Sequence, residues 1–333
     1  MMQEHPFAQY VRILGKGRHG SRALSQQEAY EAMRLILTDE AQPIQIGAFL
    51  MLMRVKEETP EEVAGFVQAV RSTFTVPANV QVDVDWSSYA GKRRQLPWFI
   101  LAALLLAENG IKVFMHGTEG HTPGRVYTRE TLQALGIPVA RSLADAAVQL
   151  AAANFAYLPL ATLSPRLQEI IELRPLLGLR SPVHTVARML NPFQAPYLVQ
   201  GIFHPGYRDI HQRAALALGQ PYAAVLKGEG GEIERNPDQP CLVKTVREGV
   251  LAEEEWPAIF KGPRHLKDET MDVRRLATLW RGEIEDEYAV ATITGTAAII
   301  LKMMGRADSM DSAEALARTM WETRTVERLG AAA

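Results

Sequence analysis

The 333-residue sequence lacks three features that would each indicate a class of protein. It has one cysteine, Cys241, in the apolar run Cys-Leu-Val, which excludes an internal disulfide framework and predicts a buried, inert thiol. Its longest apolar run, Trp98–Ala107, is about ten residues, too short to span a bilayer. Its net charge is −2, so any nucleic-acid binding requires a local basic patch. With no signal-peptide pattern, we expect a cytoplasmic protein without a membrane partner.

The first 75 residues have the pattern of short amphipathic helices. Ser25 with Glu28 forms a capping box before apolar residues at helical spacing, and Pro43–Val55 predicts a second helix. Thr59 followed by proline and two acids predicts the start of a third. These helices cannot bury their apolar faces alone, so they must pack on one another, on later helices or on a second copy. The preceding Gln9–Ser21 is either a solvated loop or a basic arm.

From Val80 onward, short β-prone runs alternate with helical segments, which predicts a largely parallel sheet with crossover helices. The predicted strands are Gln81–Val84, Ile111–Met115, Phe155–Leu158, Tyr197–Phe203, Ala223–Leu226 and Cys241–Val246. The predicted helices are Pro97–Asn109, Arg129–Leu135, Ser142–Ala152, Pro165–Leu190 and Gly206–Leu218, and Met271–Leu329 is mostly helical.

Two glycine-containing loops, Tyr89–Arg94 and the loop within Ile111–Arg125, each follow a predicted strand and precede a predicted helix. Backbone N–H groups and helix N-termini in such loops favour anions, and the added Lys and Arg residues strengthen that preference. The sequence therefore predicts an anion site between the two loops, for a nucleotide phosphate, a sugar phosphate or a nucleic-acid backbone.

Motifs along nearly the whole chain resemble the anthranilate phosphoribosyltransferases and the class II nucleoside phosphorylases. They are Leu24–Met33, Gln45–Met51, Arg54–Glu62, His116-Gly117, Leu135-Gly136, Leu173–Arg180, Leu190–Pro192 and the segment ending at Ser309. The resemblance implies an α/β fold with a separate helical lobe. Residues 1–75 and helices within about 165–190 would form the helical domain, and residues 76–333 the α/β domain. It also implies a cleft between the domains and a homodimer through the helical lobes.

The family's catalytic motifs are altered in this sequence. The diphosphate loop Gly-Thr-Gly-Gly-Asp is replaced by Ser88–Lys92 followed by Arg93 and Arg94, and Lys-His-Gly-Asn-Arg by Met115–Glu119. The metal-binding Asp-Glu pair is only loosely matched within Lys227–Glu234. This pattern resembles the second-type, YbiB-like branch, whose members are associated with nucleic-acid binding as dimers, without the biosynthetic activity.

The altered glycine loop has a physical consequence for the diphosphate. Lys92, Arg93 and Arg94 can adopt the positive-φ backbone conformation of the family's glycines only at an energetic cost. The missing aspartate also removes a magnesium ligand. Three consecutive cations suit repeated phosphates instead, unless Gly91–Arg94 is only a solvated turn.

Four further segments contain candidate residues. Ser181 and Pro182 predict the N-cap and first residue of a helix that places His184 and Arg188 on one face, unless His184 only caps or packs. His116 beside Glu119 has the residue types of a general base, and together with His121 those of a metal site. The acidic loop Glu229–Glu234 either binds magnesium or faces solvent, and the basic loop Lys261–Lys267 either extends the patch or is only solvated.

Two functions follow from these residues. The first is a dimeric homologue with degenerate catalytic motifs and no required cofactor that binds single- or double-stranded DNA or RNA without sequence preference around the cleft. The alternative is a glycosyltransferase or phosphoribosyltransferase that uses a phosphoribosyl diphosphate-like donor with Mg and an altered acceptor. The predicted phosphate-binding residues are Gly91, Lys92, Arg93, Arg94, His116, Gly117, Arg125, Arg174, Arg180, His184 and Arg188.

Overall fold

A computed structural model describes residues 4–17, 19–120, 122–262 and 267–329 of the protein. The chain begins with a lobe of four helices, which are α1 (Ala8–Gly15), α2 (Gln26–Leu37), α3 (Pro43–Lys56) and α4 (Pro60–Arg71). The predicted capping box is present at α2, where the backbone N–H of Glu28 donates to Ser25 Oγ at 3.2 Å. The backbone N–H of Glu62 likewise donates to Thr59 Oγ1 at the start of α4.

A seven-stranded sheet follows the helical lobe. Its strands are β1 (Val84–Ser88), β2 (Val113–Gly117), β3 (Phe155–Pro159), β4 (Tyr197–Gly201), β5 (Tyr222–Leu226), β6 (Cys241–Arg247) and β7 (Val250–Trp256). The spatial order is β3-β2-β1-β4-β5-β6-β7. Pairing is parallel from β3 through β5 and antiparallel along β5–β6 and β6–β7. This arrangement confirms the predicted α/β class with a separate helical lobe.

Helices cover both faces of the sheet. They are α5 (Phe99–Glu108), α6 (Thr128–Ala134), α7 (Leu143–Ala153), α8 (Leu160–Leu163), α9 (Pro165–Glu172), α10 (Arg174–Leu177), α11 (Val183–Ala187), α12 (Pro205–Ala217), α13 (Arg274–Trp280), α14 (Glu287–Met303) and α15 (Met310–Glu322). The predicted helical segment Pro165–Leu190 consists of three short helices, α9, α10 and α11. Helix α10 ends at its C-cap Gly178, which has φ +74°, and Pro182 precedes α11.

The apolar core lies in two layers, one on each face of the sheet. On one face the helical lobe packs with α9, α11 and α12 around residues such as Phe49, Phe66 and Phe114. On the other face α5, α13, α14 and α15 enclose Trp86, Trp98 and their neighbours. The helical lobe therefore shares a continuous core with the sheet, and this fixes its position above the carboxyl ends of the central strands.

Two expectations from composition can be compared with the described residues. No helix in the described ranges combines the length and the apolar character needed to cross a bilayer. Cys241, at the start of β6, is 3% exposed and has a free thiol, and burial raises its pKa. The prediction of a buried, inert thiol is confirmed, since an apolar surrounding disfavours the reactive thiolate.

Candidate functional site

The candidate site lies at the point in the sheet where the strand order changes direction. From β1 the chain adds β2 and β3 on one side, whereas β4 and β5 lie on the other side of β1. Ligands of open α/β sheets bind outside the carboxyl ends of the strands at such a switch point. Here the segment after β1 begins with Tyr89 and Ala90, and the segment after β4 begins with Ile202 and Phe203.

A cavity of about 360 Å³ opens at this point, between the sheet and the helical lobe. Its lining is rich in positive charge and contains a single carboxylate. The lining residues are Arg54, Glu58, Ala90, Arg125, Arg180, Ser181, His184, Thr185, Arg188, Gly201, Ile202, Phe203, His204, Tyr207, His211, Gly230 and Gly231. We call this cavity the interdomain cleft. It brings together Arg125, Arg180, His184 and Arg188 of the residues predicted from sequence.

Two arginines of the cleft, Arg125 and Arg188, are positioned by contacts with the protein. Arg125 Nη1 donates to the carbonyl oxygens of Ala90 and Gly91, both at 2.9 Å. Arg188 Nη1 donates to the carbonyl of His184 at 2.9 Å, and its guanidinium lies 5.7 Å from the centre of the Tyr89 ring. Burial lowers the pKa of Arg188. The cost of keeping that guanidinium charged is reduced when an anion binds beside it.

Arg180 is the cleft arginine with no local restraint. It is exposed, and among the described residues it makes no hydrogen bond or ion pair. Partial burial lowers its pKa first, and the positive charges of Arg174, Arg125 and Arg54 lower it further. These neighbours repel Arg180 in the absence of a ligand, so the cleft favours an anion with more than one negative oxygen.

The glycine loop after β1 is occupied by a carboxylate of the protein itself. Glu232, which is fully buried, accepts hydrogen bonds at Oε1 from the backbone N–H groups of Ala90 (2.7 Å) and Gly91 (2.6 Å). Gly91 has φ +67°, and a Cβ there would lie 2.9 Å from the Tyr127 ring, so the position requires glycine. The two N–H groups that would hold a phosphate in such a loop therefore already bind an anion.

Lys92 does not have the ligand-facing position predicted for it as one of three consecutive phosphate-binding cations. It is 2% exposed, and its ammonium is paired with the buried carboxylate of Glu234. Glu234 also accepts from the backbone N–H of Phe99 at 2.9 Å. Lys92 therefore neutralises an internal charge and is not available to a ligand. Arg93 and Arg94 are exposed, but neither lines the cleft.

The same contacts correct the interpretation of the acidic loop Glu229–Glu234. Glu232 and Glu234 do not face solvent: Oε1 of Glu232 accepts two backbone hydrogen bonds, and the two oxygens of Glu234 accept from Lys92 and from the backbone N–H of Phe99. Oε2 of Glu232 is buried without a hydrogen-bond partner among the described residues. Burial raises the pKa of both carboxyls, partly offset by those donors. Within the described ranges, no cluster of three or more histidine, cysteine or acidic side chains is placed to hold a metal ion.

His116 is a structural residue in this arrangement. It is fully buried, its Nδ1 is 2.7 Å from Tyr89 Oη, and its Nε2 is 3.2 Å from Asp85 Oδ1. Glu119 instead pairs with Arg129 at 3.2 Å, so the predicted His116–Glu119 general base is wrong. Gly117 is required by packing, because a Cβ there would lie 1.9 Å from the carbonyl oxygen of Ser88. Neither His116 nor Gly117 lines the cleft.

The helix near Arg180 begins one residue later than predicted. Pro182 is the N-cap of α11, and the Ser181 hydroxyl caps no backbone group. Ser181 Oγ is buried without a hydrogen-bond partner among the described residues, and it lines the cleft. Arg174 lies just outside the cleft lining, where its Nη1 donates to Thr122 Oγ1 at 3.1 Å. It acts on the cleft through its charge on Arg180.

Most of the cleft lining was not predicted from the sequence, including Arg54, Glu58, Phe203 and Tyr207. Arg54 Nη1 donates to Tyr207 Oη at 2.8 Å, which links α3 to α12 across the cleft. Glu58 lies in the loop between α3 and α4, and Phe203 follows β4. The available signal was the position of Phe203 at the carboxyl end of a predicted strand. Three predicted candidates, Arg18, His121 and the central part of Lys261–Lys267, lie outside the described residues.

Comparisons with known proteins agree with this architecture. A model of the glycosyl transferase family, helical bundle domain, matches residues 9–74. An uncharacterised protein of Aquifex aeolicus is 34% identical over 223 residues, which are 66% of this chain and 68% of that protein. An anthranilate phosphoribosyltransferase of Oleidesulfovibrio alaskensis is 29% identical over 308 residues, 89% of this chain and 91% of that enzyme.

Two further proteins are similar to this chain. The uncharacterised protein YbiB of Escherichia coli K12 is 26% identical over 250 residues, covering 73% of this chain and 78% of YbiB. The crystal structure of anthranilate phosphoribosyltransferase from Thermus thermophilus superposes with a TM-score of 0.76 at 21% identity, over 96% of this chain and 94% of that chain. That likeness confirms the predicted fold.

Proposed function

Because this chain belongs to the anthranilate phosphoribosyltransferase-like family, we propose that it is a diverged member that binds nucleic acid through the interdomain cleft. The supporting observation is the charge of that cleft, where Arg54, Arg125, Arg180 and Arg188 face one carboxylate. Phosphate contacts supply most of the affinity of sequence-independent nucleic-acid binding. The single buried thiol is consistent with the proposed cytoplasmic location.

The glycine loop supports divergence from phosphoribosyl transfer. A diphosphate in this loop would have to displace the Glu232 carboxylate from the N–H groups of Ala90 and Gly91. A magnesium ion beside it would have to compete with Lys92 for Glu234. The residues present therefore do not fit a magnesium diphosphate in that position, and we derive no catalytic step through it. The anion-binding capacity has moved to the arginine side of the cleft.

The test is fluorescence anisotropy of a labelled single-stranded oligonucleotide at several salt concentrations. Arg180→Ala removes a cleft charge that makes no hydrogen bond or ion pair in the described structure, so the fold should be unaffected. We expect weaker binding at low salt and a shallower dependence of log Kd on log salt, by about 0.7 for each phosphate that the protein no longer neutralises.

The matched control is Arg306→Ala. Arg306 is an exposed arginine that follows α14 and lies outside the cleft lining. The control removes the same net charge and should leave the salt slope unchanged. Binding that is absent or insensitive to salt would refute nucleic acid as the ligand. Equal effects of Arg180→Ala and Arg306→Ala would place the binding surface elsewhere.

The proposal includes a homodimer through the helical lobe. Ile44, Ala48, Met51 and Val55 follow one another along one side of α3, and Ile44 and Val55 are 83% and 84% exposed. An apolar stripe of this kind on a surface helix is suited to pairing with a second copy. Sedimentation velocity measures the mass, and a monomer at micromolar concentration would contradict this part of the proposal.

The alternative function is a transferase with a phosphoribosyl diphosphate-like donor and magnesium. The retained fold favours it, but it requires Glu232 and Glu234 to release their present donors. Thermal unfolding with the donor and magnesium separates the two functions, because a ligand that binds only the native state raises its stability. A magnesium-dependent rise in the midpoint would favour the transferase, whereas no change is expected for a nucleic-acid-binding protein.

A further inference from the structure

We propose that the interdomain cleft holds one unpaired ribonucleotide of a nucleic-acid strand. The phosphate lies against the arginines, the base stacks on Phe203, and the 2′-hydroxyl donates to Glu58. This inference rests on the proposed function, and it adds a preference for single strands over duplexes and for RNA over DNA.

The size of the cleft limits what can enter it. A cavity of about 360 Å³ lies at the lower end of the volumes of small-ligand pockets. It accommodates one nucleotide and not a base-paired segment. A duplex would have to flip a nucleotide out of its stack, which costs a few kcal/mol, whereas a single strand avoids most of that cost. The cleft therefore distinguishes single strands from duplexes without recognising the identity of any base.

Phe203 supplies an apolar surface for the inserted base. It lies after β4, lines the cleft, and is 53% exposed. The His204 ring is perpendicular to it, with 5.3 Å between ring centres and an angle of 89° between planes, so the two rings pack edge to face. Aromatic side chains beside cationic grooves are the usual stacking platform for single strands, because every base has a π face.

Glu58 provides a hydrogen-bond acceptor that the protein does not use. It is 4% exposed, and its Oε1 accepts from Thr185 Oγ1 at 2.7 Å. Its Oε2 is buried, and no residue in the described ranges donates to it. An unsatisfied buried carboxylate oxygen is costly, so the site favours a ligand that brings a donor.

Among the groups of a nucleotide, the partner of Glu58 is not the phosphate, because the carboxylate repels it, but a hydroxyl or amino group that can donate a proton. Acidic residues commonly accept the 2′-hydroxyl of a ribose, and that hydroxyl is the group that distinguishes RNA from DNA at a given site. Ser181 Oγ, also buried without a partner among the described residues, offers a second contact on the same wall of the cleft. Glu58 therefore orients the sugar while the arginines hold its phosphate.

The experiment measures the affinities of three labelled oligonucleotides of matched sequence, single-stranded RNA, single-stranded DNA and duplex RNA, at one salt concentration. We expect single-stranded RNA to bind about tenfold more tightly than single-stranded DNA, as a hydrogen bond to a charged group predicts. Duplex RNA should bind more weakly than either single strand.

Two variants separate the contributions. Glu58→Gln keeps the acceptor for Thr185 but replaces Oε2 by an amide nitrogen, so the RNA-to-DNA affinity ratio should fall towards one. Phe203→Ala should weaken the binding of single-stranded RNA by about 5- to 150-fold and reduce its affinity advantage over duplex RNA. The control Arg306→Ala should leave the RNA-to-DNA and the single-strand-to-duplex affinity ratios unchanged.

Equal wild-type affinities for RNA and DNA, or a ratio that Glu58→Gln does not change, would overturn the inference while leaving nucleic-acid binding intact. Duplex binding as tight as single-strand binding would do the same. No binding of any oligonucleotide would refute the proposed function as well. A final experiment uses unlabelled AMP to compete with the labelled RNA. If AMP displaces the RNA only at concentrations far above that of the oligonucleotide, the ligand is a nucleic-acid strand. AMP binding as tight as RNA binding would identify a free nucleotide as the ligand.

Discussion

Replacing Glu232 by alanine tests whether this carboxylate occupies an anion site of the fold. Oε1 of Glu232 accepts two backbone hydrogen bonds, from Ala90 and Gly91, at 2.7 and 2.6 Å. Without it these buried N–H groups lose their acceptor, at about 1–3 kcal/mol each. Burial raises the pKa of Glu232, so its own charge carries a cost that alanine removes. We therefore expect a net loss of about 2–4 kcal/mol in the free energy of unfolding.

The assay is urea unfolding followed by chemical rescue. In Glu232→Ala, acetate or inorganic phosphate can enter the space left by the side chain and accept from the two N–H groups. An anion at ten times its Kd would restore about 1.4 kcal/mol of the free energy of unfolding. The wild-type protein should gain less, because its own carboxylate excludes the anion from this loop. The matched control is Glu229→Ala in the same loop, where Glu229 Oε2 accepts a hydrogen bond from Asn236 at 3.2 Å and from no other residue in the described part of the chain.

Three results would refute this reasoning. Unfolding of Glu232→Ala at the same urea concentration as the wild type would mean that the two N–H groups find water or another acceptor. Equal destabilisation by Glu229→Ala would mean that the two backbone hydrogen bonds are not the cause. Equal stabilisation of wild type and Glu232→Ala by the added anion would place anion binding at the cleft arginines and not in the glycine loop.

Two further predictions concern buried charges. Lys92→Met leaves Glu234 without its buried partner and should lower the free energy of unfolding in urea by about 3–5 kcal/mol. The control Arg93→Met, at the exposed neighbouring position, should change it by less than about 0.5 kcal/mol. Similar losses in the two variants would contradict the pairing of Lys92 with Glu234. Burial, and then the charge of Arg188, lower the pKa of His211 to about 3. The unfolded state therefore gains a proton below about pH 6.5 that the folded state does not, and this group should cost about 2 kcal/mol of stability between about pH 7 and pH 5. His211→Asn should reduce that loss, and an unchanged pH profile would show that His211 is protonated in the fold.

Local signals in the sequence predicted most of the elements. The capping residues Ser25 and Thr59 satisfy the first N–H groups of α2 and α4 through neighbours three residues away, so they act before any tertiary contact forms. One exception is β1, which was predicted at Gln81–Val84 but found at Val84–Ser88. A central parallel strand is buried on both faces, so the alternation of Val and Asp before it did not mark its position. Strand β7 was missed because its acidic, mostly exposed sequence is that of an edge strand.

The sequence by itself determined the fold class, the starts of α2, α3 and α4 and the presence of cations near the glycine loop, because each depends on neighbouring residues or on composition. It did not determine which cations face a ligand. Lys92 and Glu234 are 142 positions apart, as are Glu232 and Ala90, and only the packing of the loop after β5 against the loop after β1 joins them. That packing turns Lys92 inward and leaves Arg180 exposed in the cleft. Whether a charge is available depends on burial and pairing, and these arise only when distant segments meet.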